Sequence, residues 1–177
     1  QSDHFADDRS DNSVDHLGAS RVEMSRFSAF EQLGGAARSF ELTHAYTMGR
    51  YAFGRPVASF QGVKHRLADL WCEIELARSN CYYGAWALSN DEPELGIAAC
   101  LSRVSASETF DLAAREMIQL HGGVGYTWEY DVQLYLKRGK WMRPMYGDAD
   151  YHYDRIAELA SEGDLVITAD VPLADRV

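Results

Sequence analysis

Long hydrophobic runs are missing from this sequence. No apolar stretch approaches the roughly 20 residues that a membrane helix needs, so no membrane span is expected. A basic excess is missing too: 17 Lys and Arg face 27 Asp and Glu, for a net charge of -10. Such a surface repels phosphate backbones and anionic headgroups, which argues against nucleic acid as a partner. The most basic stretch, KRGKWMR at 137–143, is short. Cysteine is sparse and odd in number: Cys72, Cys81 and Cys100 lack metal-ligand spacing and fall within helical patterns. They read as reduced thiols of an intracellular, cytoplasmic protein rather than a disulfide framework. No secretory signal pattern is present. The chain opens on Gln rather than Met, which suggests processing or derivation from something longer.

What remains is amphipathic helix. Residues 1–19 are acidic and nearly free of apolar side chains, a mobile lead-in by composition. Ser20 and Glu23 form a capping-box pattern opening a first helix over 21–49. Gly54 and Pro56 punctuate a loop. Phe60, Val63, Leu67, Leu70, Ile74, Ala77, Cys81, Ala85 and Leu88 then recur every three or four positions, one apolar seam with Ser59 as its N-cap. A turn containing Pro93 leads to a third helix over 94–121, followed by shorter helices over 132–138 and 150–162. The tail, 163–177, alternates like an extended segment. The expected fold is all-α: an antiparallel up-down four-helix bundle occupying 20–162. Trp71, Tyr82, Tyr83 and Trp86 read equally as core or as a helix-to-helix interface between copies.

Bundles of this kind can hold two metals between paired Glu-x-x-His motifs. Here only Glu41 and His44 fit, with no second pair. Asp148, Asp150 and His152 in GDADYHYD offer another ligand set, which a solvated helix start explains as well. No metal site is expected.

Two separated stretches carry more. GRYAFGRPVASFQGVKHRLADL at 49–70 and QLHGGVGYTWEY at 119–130 together resemble the C-terminal helical domain of acyl-CoA dehydrogenases. The matching positions are Arg50, Phe53, Gly54, Pro56, Val57, Phe60, Gln61, His65, Leu67, Ala68 and Asp69, then Gln119, Gly122, Gly123, Gly125 and Tyr126. The ordered set is specific although each piece alone is weak. The resemblance covers about 21–158. It implies α,β-desaturation of an acyl-CoA thioester, with electrons passed to an electron-transfer flavoprotein. It also implies an oligomer, dimer or tetramer, in which this domain contacts the FAD of a neighbouring subunit. Arg50 would then pair with the pyrophosphate, Phe53 would pack on the cofactor, and Gln61 and Gln119 would hydrogen-bond it. The backbone of Gln119, Leu120, His121, Gly122 and Gly123 would lie beside the adenosine diphosphate half.

Two departures qualify what is implied. Many members place the catalytic glutamate directly after the tyrosine of Tyr-Glu-Gly-Thr, whereas here Gly147 follows Tyr146 and Asp148 comes next. Other members supply the base from the first helix, at the position of Met24, with Glu23 adjacent. Asp148 and Glu23 are therefore the candidate bases. The N-terminal helical and middle β domains of the family are also missing from this sequence. This suggests a fragment or a subunit completed by another chain, and leaves open a non-catalytic, cofactor-completing subunit of a heteromeric enzyme.

Overall fold

The computed structural model describes residues 11–160, with side chains described for Ser25 and from Phe27 onward. Three long helices carry the fold: α1 (Asp11–Gly49), α2 (Gln61–Ser89) and α3 (Leu95–His121), followed by α4 (Val132–Met142) and α5 (Ala149–Leu159). A two-residue hairpin, β1 (Tyr51–Ala52) with β2 (Arg55–Pro56), joins α1 to α2 through a 3-10 turn at Val57–Ser59. The all-α bundle expected from the sequence is the fold observed.

Several boundaries differ from the sequence reading. The first helix begins at Asp11, so Ser20 lies inside it and does not cap its start. Phe60, in extended conformation, occupies the N-cap of α2. Ser59 instead donates its hydroxyl to Pro56 O at 2.7 Å, closing the preceding turn. The fourth helix runs four residues further than expected, to Met142. The expected extended tail at 163–177 lies outside the described residues.

Centrality belongs to α3, which packs against α1, α2, α4 and α5. Its sequence explains why: Ala98, Ala99, Ala106, Ala113 and Ala114 are all buried, and small side chains let four neighbours approach at once. The main core joins Ala29, Leu33 and Ala36 of α1 to Leu70, Ile74, Ala77 and Cys81 of α2 and to Ala106 and Phe110 of α3. The α1 face is unusually polar. Ser39, Thr43 and Thr47 are fully buried, and each returns its hydroxyl to a carbonyl of its own helix, at 2.8, 2.7 and 2.9 Å. Bonded inward in this way, they occupy core positions without leaving a buried donor unpaired.

Candidate cofactor face and base loop

Because α2 runs against α1 and α3, the end of α1, the start of α2 and the end of α3 meet at one end of the bundle. Tyr46 near the end of α1 stacks on His121 at the end of α3, with ring centroids 4.2 Å apart. Arg66 of α2 pairs with Glu116 of α3 at 2.7 Å. Arg50, Phe53, Gln61, Gln119, Leu120, Gly122 and Gly123 are thereby gathered on that end.

The hairpin presents the aromatic. Phe53 and Gly54 both have positive φ, 51° and 76°, the backbone that a two-residue turn between twisted strands demands. Glycine adopts it freely; phenylalanine is strained there, and such strain clusters at functional positions. Phe53 is also 97% exposed, touching only the edge of Phe60 at 6.4 Å. Its large apolar ring is held in water by a strained turn and buries little against the described residues. Arg50 is exposed, 6.0 Å from the Tyr46 ring centroid, and forms no ion pair among the described residues. Gln61 is exposed as the first residue of α2. No described side chain caps that helix; the Val63 and Lys64 amides bond Phe60 O, which leaves those of Gln61 and Gly62 available to an acceptor.

At the end of α3, Gln119 is exposed and Leu120 half-buried. His121 turns inward: its ring is buried, with Nδ1 2.7 Å from Met117 O, and burial lowers its pKa. Its imidazole pins the turn from inside and leaves only its main chain facing outward. Tyr46 adds a hydroxyl bond to His121 O at 3.3 Å. Gly122 leaves the helix at φ 65°, ψ −140°, a conformation closed to residues with a Cβ. Gly123 is different. Its φ is ordinary, and an added Cβ would meet nothing within 4 Å. Nothing within the described chain demands glycine there; a molecule lying close against the main chain would.

Asp148 sits elsewhere. Arg103 of α3 contacts the segment leading to it, and 18 helical residues separate Arg103 from His121, about 27 Å along the axis. Asp148 is exposed and N-caps α5, its Oδ1 accepting from Tyr151 N at 3.0 Å. Just before it, Tyr146 and Gly147 have φ of 60° and 107°. A Cβ on Gly147 would stand 2.3 Å from the Tyr151 ring. A side chain at the position where many acyl-CoA dehydrogenases carry glutamate would therefore meet both a strained backbone and the Tyr151 ring. Glu23 lies within α1, and its side chain is outside those described.

Arg103 was not singled out by sequence, and His152 only as a possible metal ligand. Arg103 is 1% exposed, with Nη1 donating to Gln32 Oε1 and Nη2 to Met142 O and Met145 O at 2.7 and 2.8 Å. A signal existed: it is the only charged residue between Leu95 and Ser107. His152 is 4% exposed, and neither ring nitrogen makes a well-formed hydrogen bond. Its pKa is lowered to about 4 by burial and then by the Arg103 charge, with the Tyr146 main chain and the Asp148 carboxylate pulling the other way. Glu41 is paired to exposed Arg38 at 2.8 Å, and no cluster of three or more metal-ligating side chains occurs among the described residues.

Residues 18–160 match the family described as acyl-CoA dehydrogenase, C-terminal domain. The chain is 43% identical over 110 residues to acyl-CoA dehydrogenase IpdE2 of Mycolicibacterium smegmatis, covering 62% of this chain and 33% of that protein. Among solved structures, the ChsE4-ChsE5 complex of Mycobacterium tuberculosis superposes with a TM-score of 0.75 at 27% identity, covering 82% of this chain and 39% of its counterpart. Butyryl-CoA dehydrogenase of Megasphaera elsdenii gives 0.75 at 25% identity, over 78% of this chain and 36% of its own. The chain thus spans about a third of the length of these relatives.

Proposed function

Since the chain belongs to the acyl-CoA dehydrogenase family and forms its C-terminal domain, we propose that it works within a FAD-dependent acyl-CoA dehydrogenase by completing the cofactor site of a neighbouring subunit. The observation that carries this reading is the open, glycine-lined main chain at Gly122 and Gly123 at the same end of the bundle as exposed Arg50, which forms no ion pair among the described residues. A guanidinium matches pyrophosphate oxygens in a bidentate way. Arg50 would bind that group, Phe53 would cover the cofactor, and Gln61 and Gln119 would hydrogen-bond it. The main chain of 119–123 would hold the adenosine diphosphate half. Groups that would hold the flavin ring belong to the rest of the enzyme.

When bound, FAD accepts the hydride leaving the substrate β-carbon, and an electron-transfer flavoprotein takes up the electrons. The protein must remove the α-proton with a carboxylate. Asp148 is the first candidate: Oδ1 is committed to the Tyr151 amide, while Oδ2 makes no hydrogen bond among the described residues. Glu23 is the second. Exposed Trp71, Tyr82 and Trp86 on α2 supply apolar surface for a homo- or hetero-oligomer. No described helix is long and apolar enough to cross a membrane, and we place the enzyme in the cytoplasm.

The strained, crowded backbone at Gly147 favours a second reading. Without the usual glutamate, the chain serves as a cofactor-completing subunit whose partner bears the base. Both readings meet in one experiment: purify the protein from its intact gene together with any adjacent dehydrogenase gene, then record flavin absorbance and mass. A flavin-bearing oligomer that bleaches with acyl-CoA, and in which Asp148→Asn abolishes bleaching, supports the first. Bleaching that survives Asp148→Asn and Glu23→Gln supports the second. A colourless protein that takes up no FAD sinks both.

A further inference from the structure

We propose that Arg103 is a positioning residue which clamps the loop carrying Asp148 into its working conformation; the catalytic consequence rests on the desaturase reading above. The guanidinium is buried in the middle of α3, yet no carboxylate among the described residues pairs with it. All its bonds go to neutral acceptors. Nη1 holds Gln32 of α1, and Nη2 faces the carbonyls of Met142, Arg143 and Met145 at 2.7, 3.3 and 2.8 Å. Those three carbonyls end α4 and open the loop. A charged donor surrounded by carbonyls is a strong hydrogen-bonding centre, and a buried cation without a counter-charge is a poor choice for stability alone.

What the clamp holds is visible immediately downstream. Tyr146 is a bulky residue at φ 60°, a backbone state that persists only where the surroundings enforce it, and Gly147 follows at φ 107°, which glycine adopts freely. Asp148 follows and starts α5. Fixing the carbonyls at 142–145 sets the path through 146 and 147, and so sets where the Asp148 carboxylate stands. Lysine keeps the charge but cannot span Gln32 and three carbonyls with one nitrogen.

The test compares Arg103→Lys with wild type in the assembled, flavin-loaded enzyme, using hydrogen exchange and steady-state kinetics. The expected exchange result is faster exchange confined to 143–151, including the Tyr151 amide that Asp148 caps, with α1 and α2 unchanged. In kinetics, kcat falls about ten- to a hundred-fold while KM stays within about two-fold. Exchange that is unchanged, or raised evenly across the bundle, overturns the clamp. A loosened loop with unaltered kcat overturns its positioning role. If the wild-type flavin bleaches with no acyl-CoA tested, the desaturase reading fails, and the exchange pattern alone decides the clamp.

Discussion

Acid should weaken this bundle through one imidazole. His152 is buried beside the Arg103 guanidinium, and its pKa stands at about 4 against an ordinary 6.5. Between those two values the unfolded chain binds a proton that the folded chain refuses, so stability rises with pH across that window. The contribution is complete above 6.5 and is lost as pH falls toward 4. At about 1.4 kcal/mol for each pH unit crossed, the loss amounts to about 2 kcal/mol by pH 5 and about 3 kcal/mol by pH 4. Against a domain stability of about 5–15 kcal/mol, that is measurable. The charged groups facing the ring are Arg103 of α3, which lowers its pKa, and Asp148 of α5, which raises it. His152→Leu removes the titrating group together with two buried, poorly bonded nitrogens. Urea unfolding followed by circular dichroism at pH 7, 6, 5 and 4 should show wild type losing stability more steeply than the variant, by about 2 kcal/mol between pH 7 and 5. His121, also lowered by burial, titrates in both proteins and cancels in the comparison. Parallel pH dependence in the two would refute the reasoning.

Other positions separate structural from cofactor roles. Gly147→Ala should destabilise the chain by about 1–3 kcal/mol, because both its φ and the Tyr151 ring oppose a Cβ, and Gly147→Glu should fail likewise without creating a base. Gly123→Ala should leave thermal melting nearly unchanged, since the space is open, yet weaken FAD retention in the assembled enzyme. Phe53→Gly relieves a left-handed phenylalanine and should raise stability by up to about 1 kcal/mol while reducing FAD affinity, read by melting and by flavin titration. Iodoacetamide at pH 8 should add one label to the folded chain, on exposed Cys72, and three after unfolding. Burial pushes Cys81 and Cys100 up to about 11, leaving almost no thiolate.

The helices were legible where an apolar period was clean. The seam from Leu67 to Cys81 in α2 is the buried face observed. Caps were less legible, because Ser20 and Ser59 each have the chemistry of a cap and neither occupies one. Acidic composition hid the start of α1, since residues 11–19 offer little apolar pattern. The hairpin at 51–56 read as a loop because its strands are two residues each. The motif carried no orientation: His121 belongs to the same motif as Gly122, and only geometry turns its ring inward. Arg103 was missed because a lone charge in an apolar helix is ambiguous until its acceptors, drawn from α1 and from the far end of α4, are seen.

The separation of about 27 Å between the Arg50 end and the Asp148 loop has a genetic counterpart. In an oligomer where each flavin takes Arg50 from one chain and the loop from the other, an Arg50 allele and an Asp148 allele damage different halves of every site. Each alone yields no intact site. Mixed in one dimer, the Arg50-defective chain contributes its sound loop and the Asp148-defective chain its sound arginine, and one of the two sites is whole. Two null alleles should then complement in trans, recovering activity that neither recovers alone.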